Sequence, residues 1–304
     1  MKSRSILCLL AVAGLALAQP DVAGDWKGTL QIGAVSLRLV VHVSRSADGL
    51  HATLDSLDQA ALGLPVESIQ YSAGVLRLEM PKLKASYEGE WDAAASAFRG
   101  QFKQMGQTTP LALVRAEPAG KAQPLSAADR DFLLAHLQRT ADRYRAEIAN
   151  LNAAQWTFRE APGKWSIAEC AEHLVLAERD LLRVVAQQIS KVPMPDGQAR
   201  NGRAEDEKVI AAMLDRSQKA TAAESERPKG VFGSPAEAAR AFEAARAATL
   251  DYARSTQEDL RGHGMRDQKG AFTDAYQLLL TLSAHTARHV AQMEEVKAAG
   301  GYPK

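Results

Sequence analysis

The chain has 304 residues, with 37 basic against 36 acidic side chains and a formal net charge of +1. A balance this near neutrality argues against a nucleic-acid binder, which needs a basic face. No stretch is apolar for long enough to span a membrane as a helix, and the length suits two domains, each able to bury its own core.

Residues Met1 to Ala18 read as an export signal outside the fold. Lys2 and Arg4 give a charged start, Ile6 to Leu17 a short apolar run, and Ala16-Leu17-Ala18 a small-x-small cleavage site. Cys8 lies inside that run and not at its end, which argues against a lipoprotein. The expectation is a periplasmic or secreted protein. Cleavage would remove two cations and no acid, taking the charge from +1 to −1. It would leave Cys170 alone, so no internal disulfide could form and packing must supply the stability.

From Asp21 to Glu117 the pattern has period two. Gly24 to Gly28 opens a strand, Ser36 to Val43 alternates, and Ser46-Ala-Asp-Gly49 turns a hairpin into Leu50 to Leu54. Val75 to Met80, Lys84 to Trp91, Ala97 to Phe102 and Pro110 to Val114 continue the series. Short strands at regular spacing predict an antiparallel β-barrel or sandwich over 21–117. His42 and His51 lie on neighbouring strands and could face each other, but two histidines are an incomplete site and ordinary strand residues are the better reading. Asp55-Ser-Leu-Asp58-Gln lines a mouth or makes a turn. Trp26-Lys-Gly28, Asp55 to Gln59 and Gly63-Leu-Pro65 loosely resemble the β module that precedes α/β-hydrolase domains in some secreted bacterial hydrolases. No Gly-x-Ser-x-Gly elbow follows, so the hydrolase domain itself is absent.

Pro118, Gly120 and Pro124 fall in a linker over 118–125 that can continue neither strand nor helix. Beyond it the period changes. Ser126-Ala-Ala-Asp129 caps a helix running to about Asn150, with Leu133, Leu137, Thr140, Tyr144 and Ile148 on one face. His136 flanks that face. Trp156 and Trp165 lie in a loop that closes one end of the core. Ser166-Ile-Ala-Glu169 is a capping box that starts a second helix at Ile167, with Cys170, Leu174 and Leu181 inward and His173 beside them. Gly202 to Ser217 reads as a polar surface helix, and Thr221 to Gly233 as a mobile charged loop. Ser234-Pro235-Ala-Glu237 caps a third bundle helix reaching Thr256, with Ala238, Phe242, Ala245, Thr249 and Tyr252 inward. Gly262, Gly264 and Gly270 break the chain, and His263 between the first two is expected to be exposed.

The last helix is predicted around Leu278 to Val296. Ala275, Leu278, Leu282, Met293 and Val296 form its apolar stripe, and His285 and His289 fill the gap in it. Residues four apart sit one turn above each other, so two imidazoles point into the core. A buried ring needs a partner for each nitrogen, and a divalent metal could serve both rings. On this pair alone, incidental spacing or satisfied core histidines is the better reading. His173 is the candidate third ligand.

The pattern Trp165-Ser166-x-x-Glu169-x-x-x-His173-Leu, followed by His285-x-x-x-His289-x-x-Gln292, resembles the DinB superfamily of DinB-like and YfiT-like four-helix bundles. The likeness runs from about Leu125 to the C-terminus, making 126–304 a DinB-like four-helix bundle. It implies a metal triad at His173, His285 and His289. Three nitrogen ligands leave open positions, as catalytic sites do, and suit Zn, Ni or Fe. Gln292 shares the face of His289 and could touch a bound water or substrate. Glu169 could orient the His173 ring, in conflict with its capping role. Cys170 is a packed thiol before it is a fourth ligand, and Glu178 is a guess at a general base. The resemblance implies a metal-dependent enzyme of hydrolase or thiol-dependent transferase type acting on a small molecule, and export tilts the expectation towards hydrolysis. A non-catalytic metal- and ligand-binding module and a purely structural histidine cluster are the alternatives, and a homodimer is left open.

Overall fold

The computed structural model describes residues 20–117, 122–217, 221–266 and 271–304. The expected export signal at 1–18 lies outside the described residues, as do 118–121 of the expected linker and Gly270. The chain divides into two compact units, Met1–Pro118 and Ala119–Lys304.

The first unit is one antiparallel sheet of nine strands: β1 (Gly24–Ile32), β2 (Val35–Ser46), β3 (Gly49–Ser56), β4 (Ala61–Val66), β5 (Ser68–Ser72), β6 (Val75–Met80), β7 (Ala85–Asp92), β8 (Ala97–Gln104) and β9 (Gln107–Arg115). Their order is β4-β3-β2-β1-β9-β8-β7-β6-β5. The edge strands, β4 and β5, are therefore consecutive in the chain and separated by Glu67 alone. One residue reaches only about 7 Å from strand end to strand start, so the sheet must curl until its edges meet. The result is a nearly closed barrel, which decides between barrel and sandwich.

Period-two alternation sends Trp26, Leu39, Val41, Leu76, Leu78, Tyr87, Phe98 and Leu113 inward as a packed core. Trp26 packs edge-on against Phe98 at 4.8 Å and donates from Nε1 to the Val22 carbonyl at 2.8 Å. The sequence pattern did not signal β4 and β5, because every residue of the two strands except Val66 is exposed or half-buried.

The second unit holds α1 (Ala127–Ile148), α2 (Ala153–Thr157), α3 (Ile167–Gln187), α4 (Arg203–Leu214), α5 (Pro235–Ser255) and α6 (Ala275–Ala298), with a small hairpin of β10 (Gly264–Arg266) and β11 (Phe272–Asp274) before α6. The four long helices form the bundle: α1 and α3 each pack against both α5 and α6, so α1 lies diagonally across from α3, and α5 from α6. α4 packs outside on α6. The starts follow the expected caps. Ser126 accepts from the Asp129 amide, Ser166 and Glu169 form a full capping box, and Ser234 accepts from the Glu237 amide. Asp274 and Gln277 make a further box at the start of α6.

A buried ion pair joins all four long helices. Arg246 of α5 grips Glu178 of α3 through Nε (2.6 Å) and Nη2 (2.9 Å). The guanidinium also donates to Thr140 of α1 (2.9 Å) and Thr286 of α6 (2.8 Å), and Thr249 donates to Glu178 at 2.7 Å. With every oxygen and most N–H groups matched, the pair satisfies what a buried charge requires.

Candidate metal centre

The i, i+4 spacing on α6 sets His285 and His289 one turn apart, and α3 brings His173 to face them. Nε2 of His285 lies 3.2 Å from Nε2 of His173 and 3.1 Å from Nε2 of His289. The three form the one cluster of its kind among the described residues able to hold a metal ion. Ligand nitrogens about 2.05 Å from a tetrahedral ion stand about 3.3 Å apart, so the observed spacing fits an ion among the rings.

The His173 tautomer follows from its other nitrogen. Nδ1 is 2.8 Å from the backbone carbonyl of Glu226. A carbonyl only accepts, so Nδ1 carries the hydrogen and the neutral ring turns an Nε2 lone pair to the cluster. That is the arrangement a metal-ligating imidazole adopts. Protonation is strongly opposed. Burial first, then the neighbouring imidazoles, lower the pKa of His285 to about 3 and of His289 to about 2, and burial lowers that of His173. Three neutral rings in the protein interior thus converge on one point. His289 Nδ1 is buried without a hydrogen-bond partner among the described residues, although Gln292 is close enough to favour the ring's protonated form.

Trp165 packs beside the cluster, its ring 5.0 Å from that of His173 and 6.1 Å from that of His289. The histidines open on a cavity of about 1020 Å³ whose lining includes Trp165, Glu169, Met213, Glu226, Arg288 and Gln292.

Several expectations change. Glu169 does not orient His173: it accepts from the Ser166 amide at 2.9 Å and from Arg159 at 2.8 Å, so capping wins and the Glu226 carbonyl takes the orienting place. Glu178 is no general base, because it is buried and held by Arg246 and Thr249. Cys170 is a buried thiol outside the cluster, its pKa pushed up to about 12 by burial.

His136 packs its ring 4.5 Å from Phe132, and His263 is half-buried, not exposed, with Nδ1 2.8 Å from the Asp259 carbonyl. His42 and His51 share no site. His42 bridges Asp25 (2.8 Å) and Asp55 (3.0 Å), while His51 pairs with Asp48. Asp58 lies in a single helical turn, Leu57–Gln59, the turn alternative for this segment, and accepts from the amide and guanidinium of Arg38.

The loop after Thr221 is tied to α3 by hydrogen bonds. Buried Glu172 accepts from the amides of Lys229 (2.7 Å), Gly230 (2.7 Å) and Val231 (3.1 Å). Glu172 and His173 are neighbours on α3, so two successive side chains fasten the same loop. Sequence reasoning passed over Glu172. The available signal was an acidic residue on the inward side of a helix with no partner nearby in the chain.

The DinB superfamily family model matches residues 136–293, more than half of the chain. YfiT from Bacillus subtilis, described as a probable metal-dependent hydrolase with an unusual four-helix bundle topology, is 11% identical. That match covers 62% of this chain and 97% of YfiT, with a TM-score of 0.38. A protein from Exiguobacterium sibiricum assigned to the DinB family is 16% identical over 58% of this chain and 94% of its own, with a TM-score of 0.35. No curated protein matches the chain. By the extent of that family match, with the three converging imidazoles inside it, the chain belongs to the DinB superfamily.

Proposed function

We propose that the protein is an exported metal-dependent enzyme, a hydrolase by preference, whose divalent ion is held by His173, His285 and His289. The observation that carries this is the meeting of three neutral imidazole nitrogens at 3.1 and 3.2 Å in the protein interior, open on one side to a cavity. Without a cation, three such groups turned on one another gain little from burial. When bound, a divalent ion supplies Lewis acidity, polarising a substrate carbonyl or acidifying a water. Export rests on the sequence of residues 1–18. The nitrogen donors suit Zn, Ni or Fe.

The chain's own groups have distinct tasks. The Glu226 carbonyl keeps the His173 lone pair aimed at the cluster. Trp165 shields two of the rings from water. Two carboxylic residues line the cavity, Glu169 and Glu226, and Glu169 is engaged by Arg159 and Ser166. Glu226 is therefore the group assigned to take up a proton. Glu226→Gln keeps the backbone carbonyl on His173, so it should retain metal while lowering turnover about 10²-fold or more. Metal content and rates on ester and amide panels, measured on one preparation, check both halves.

The decisive measurement is elemental analysis of protein purified without an affinity tag. Near one divalent ion per chain is expected, falling to background in His289→Ala with the helical circular dichroism preserved. A metal-free native protein sinks the reading. Full occupancy with no turnover on any panel would instead favour a non-catalytic binding module.

A further inference from the structure

The cavity over the histidines has a charge and an apolar wall that metal binding alone does not use. Imidazoles are neutral donors, so an ion held by three of them keeps its whole positive charge, unlike one held by carboxylates or thiolates. The rim adds to it. Lys164 and Arg227 both line the cavity and are exposed. No carboxylate pairs with either of them among the described residues; Arg227 Nε donates only to the Ala222 carbonyl, at 3.4 Å. Basic residues outnumber acidic ones on the lining, with Lys164, Arg216, Arg227 and Arg288 against Glu169 and Glu226, and a cleft with a net positive lining attracts anions from solution.

The wall is apolar. Val209 and Met213 lie one turn apart on α4, both half-buried, and line the same cavity as Trp165. An i, i+4 pair on a helix that packs on α6 gives a continuous strip beside the histidines. Convergent polar groups at one end with an apolar surface along the rest is the usual form of a small-molecule site.

We infer that this cavity takes an amphipathic organic anion, with its anionic group turned to the three histidines and its apolar body against Trp165, Val209 and Met213. Lys164 and Arg227 draw it in. The inference rests on the metal reading of the same site and adds to it the class of substrate.

The test uses the full chain loaded with Co(II), titrated with octanoate and with octanol by calorimetry while the cobalt absorption bands are followed. Octanoate should bind at least tenfold more tightly than octanol, shift the bands and weaken as salt is raised. In the double variant Lys164→Gln/Arg227→Gln, cobalt should stay bound, octanoate should weaken severalfold and octanol should not change. In Met213→Ser both ligands should weaken. Equal affinity for the two ligands in cobalt-loaded protein, or octanoate binding unmoved by the double variant, overturns the inference and leaves the metal reading standing. Failure of the wild-type chain to take up cobalt overturns the metal reading, and the inference with it.

Discussion

Arg246 shows at the scale of one residue how much the bundle invests in a single contact. Its guanidinium is buried among four helices and matched to Glu178, Thr140 and Thr286. Removing one partner of such a pair leaves the other charge buried and alone, at a cost of about 3–5 kcal/mol. Arg246→Met should therefore lose about that much in denaturant unfolding of the metal-free protein. Adding Glu178→Leu should restore most of it, since matched apolar replacement of a buried pair is often neutral. The three histidines were legible in the sequence because their spacing on α6 and their place on two inward faces are properties of letters and period. Arg246 was not: a basic residue between Ala245 and Thr249 reads as solvated until its partner, 68 residues away, is known. The Glu226 carbonyl was beyond reach for a different reason, since every residue has one and nothing in the chain marks the one that turns inward.

At the scale of elements, the loop from Thr221 to Gly233 depends on α3. Three successive amides converge on the Glu172 carboxylate, and the Glu226 carbonyl meets the next residue on the helix. Glu172→Gln replaces one accepting oxygen with an N–H group that opposes those donors. Charge-assisted hydrogen bonds contribute about 1.5–3 kcal/mol, so amide exchange at Lys229, Gly230 and Val231 should speed up by roughly ten- to a hundredfold. Amides in the middle of α5 should be unchanged, and uniform acceleration there would mean that the variant had loosened the whole bundle. Helix starts were the most legible feature of this half, because Ser126, Ser166 and Ser234 announce themselves by residue type and spacing. The β10–β11 hairpin was not, being two strands of three residues in a glycine-containing stretch. In the barrel, seven strands followed from alternation. β4 and β5 escaped because edge strands half open to solvent have little contrast between their two faces.

For the whole molecule, the two units carry titrations of opposite sign. In the bundle, burial and mutual repulsion depress His285 and His289 to about 3 and about 2. An unfolded ring takes up its proton near pH 6.5, so these groups add stability above that value and remove it as pH falls from about 6.5 towards 3. In the barrel, burial of His42 opposes its protonation, but the carboxylates of Asp55 and Asp25 outweigh it and raise its pKa. Its contribution is present below the unfolded value and is lost as pH rises through the folded one. Scanning calorimetry of the metal-free full chain, compared with His285→Gln and His42→Gln at each pH, isolates the two terms. His285→Gln should flatten the acid-side fall in the melting temperature of the bundle. His42→Gln should lower that of the barrel at acid pH more than at alkaline pH. Identical pH profiles for wild type and both variants would refute the assignment of these charges.

The barrel's strand order has one more consequence. β1 and β9 are paired neighbours, and Arg115 donates to the carbonyls of Ala23 and Asp21, so the polypeptide enters and leaves this half side by side. Glu67 marks a seam that no ladder crosses, where the chain itself passes from one edge to the other. A circular permutant opened at Glu67, with a short flexible bridge joining the old ends, would keep every antiparallel ladder intact. Such a piece behaves as a cassette, separable in principle from whatever chain lies on either side of it.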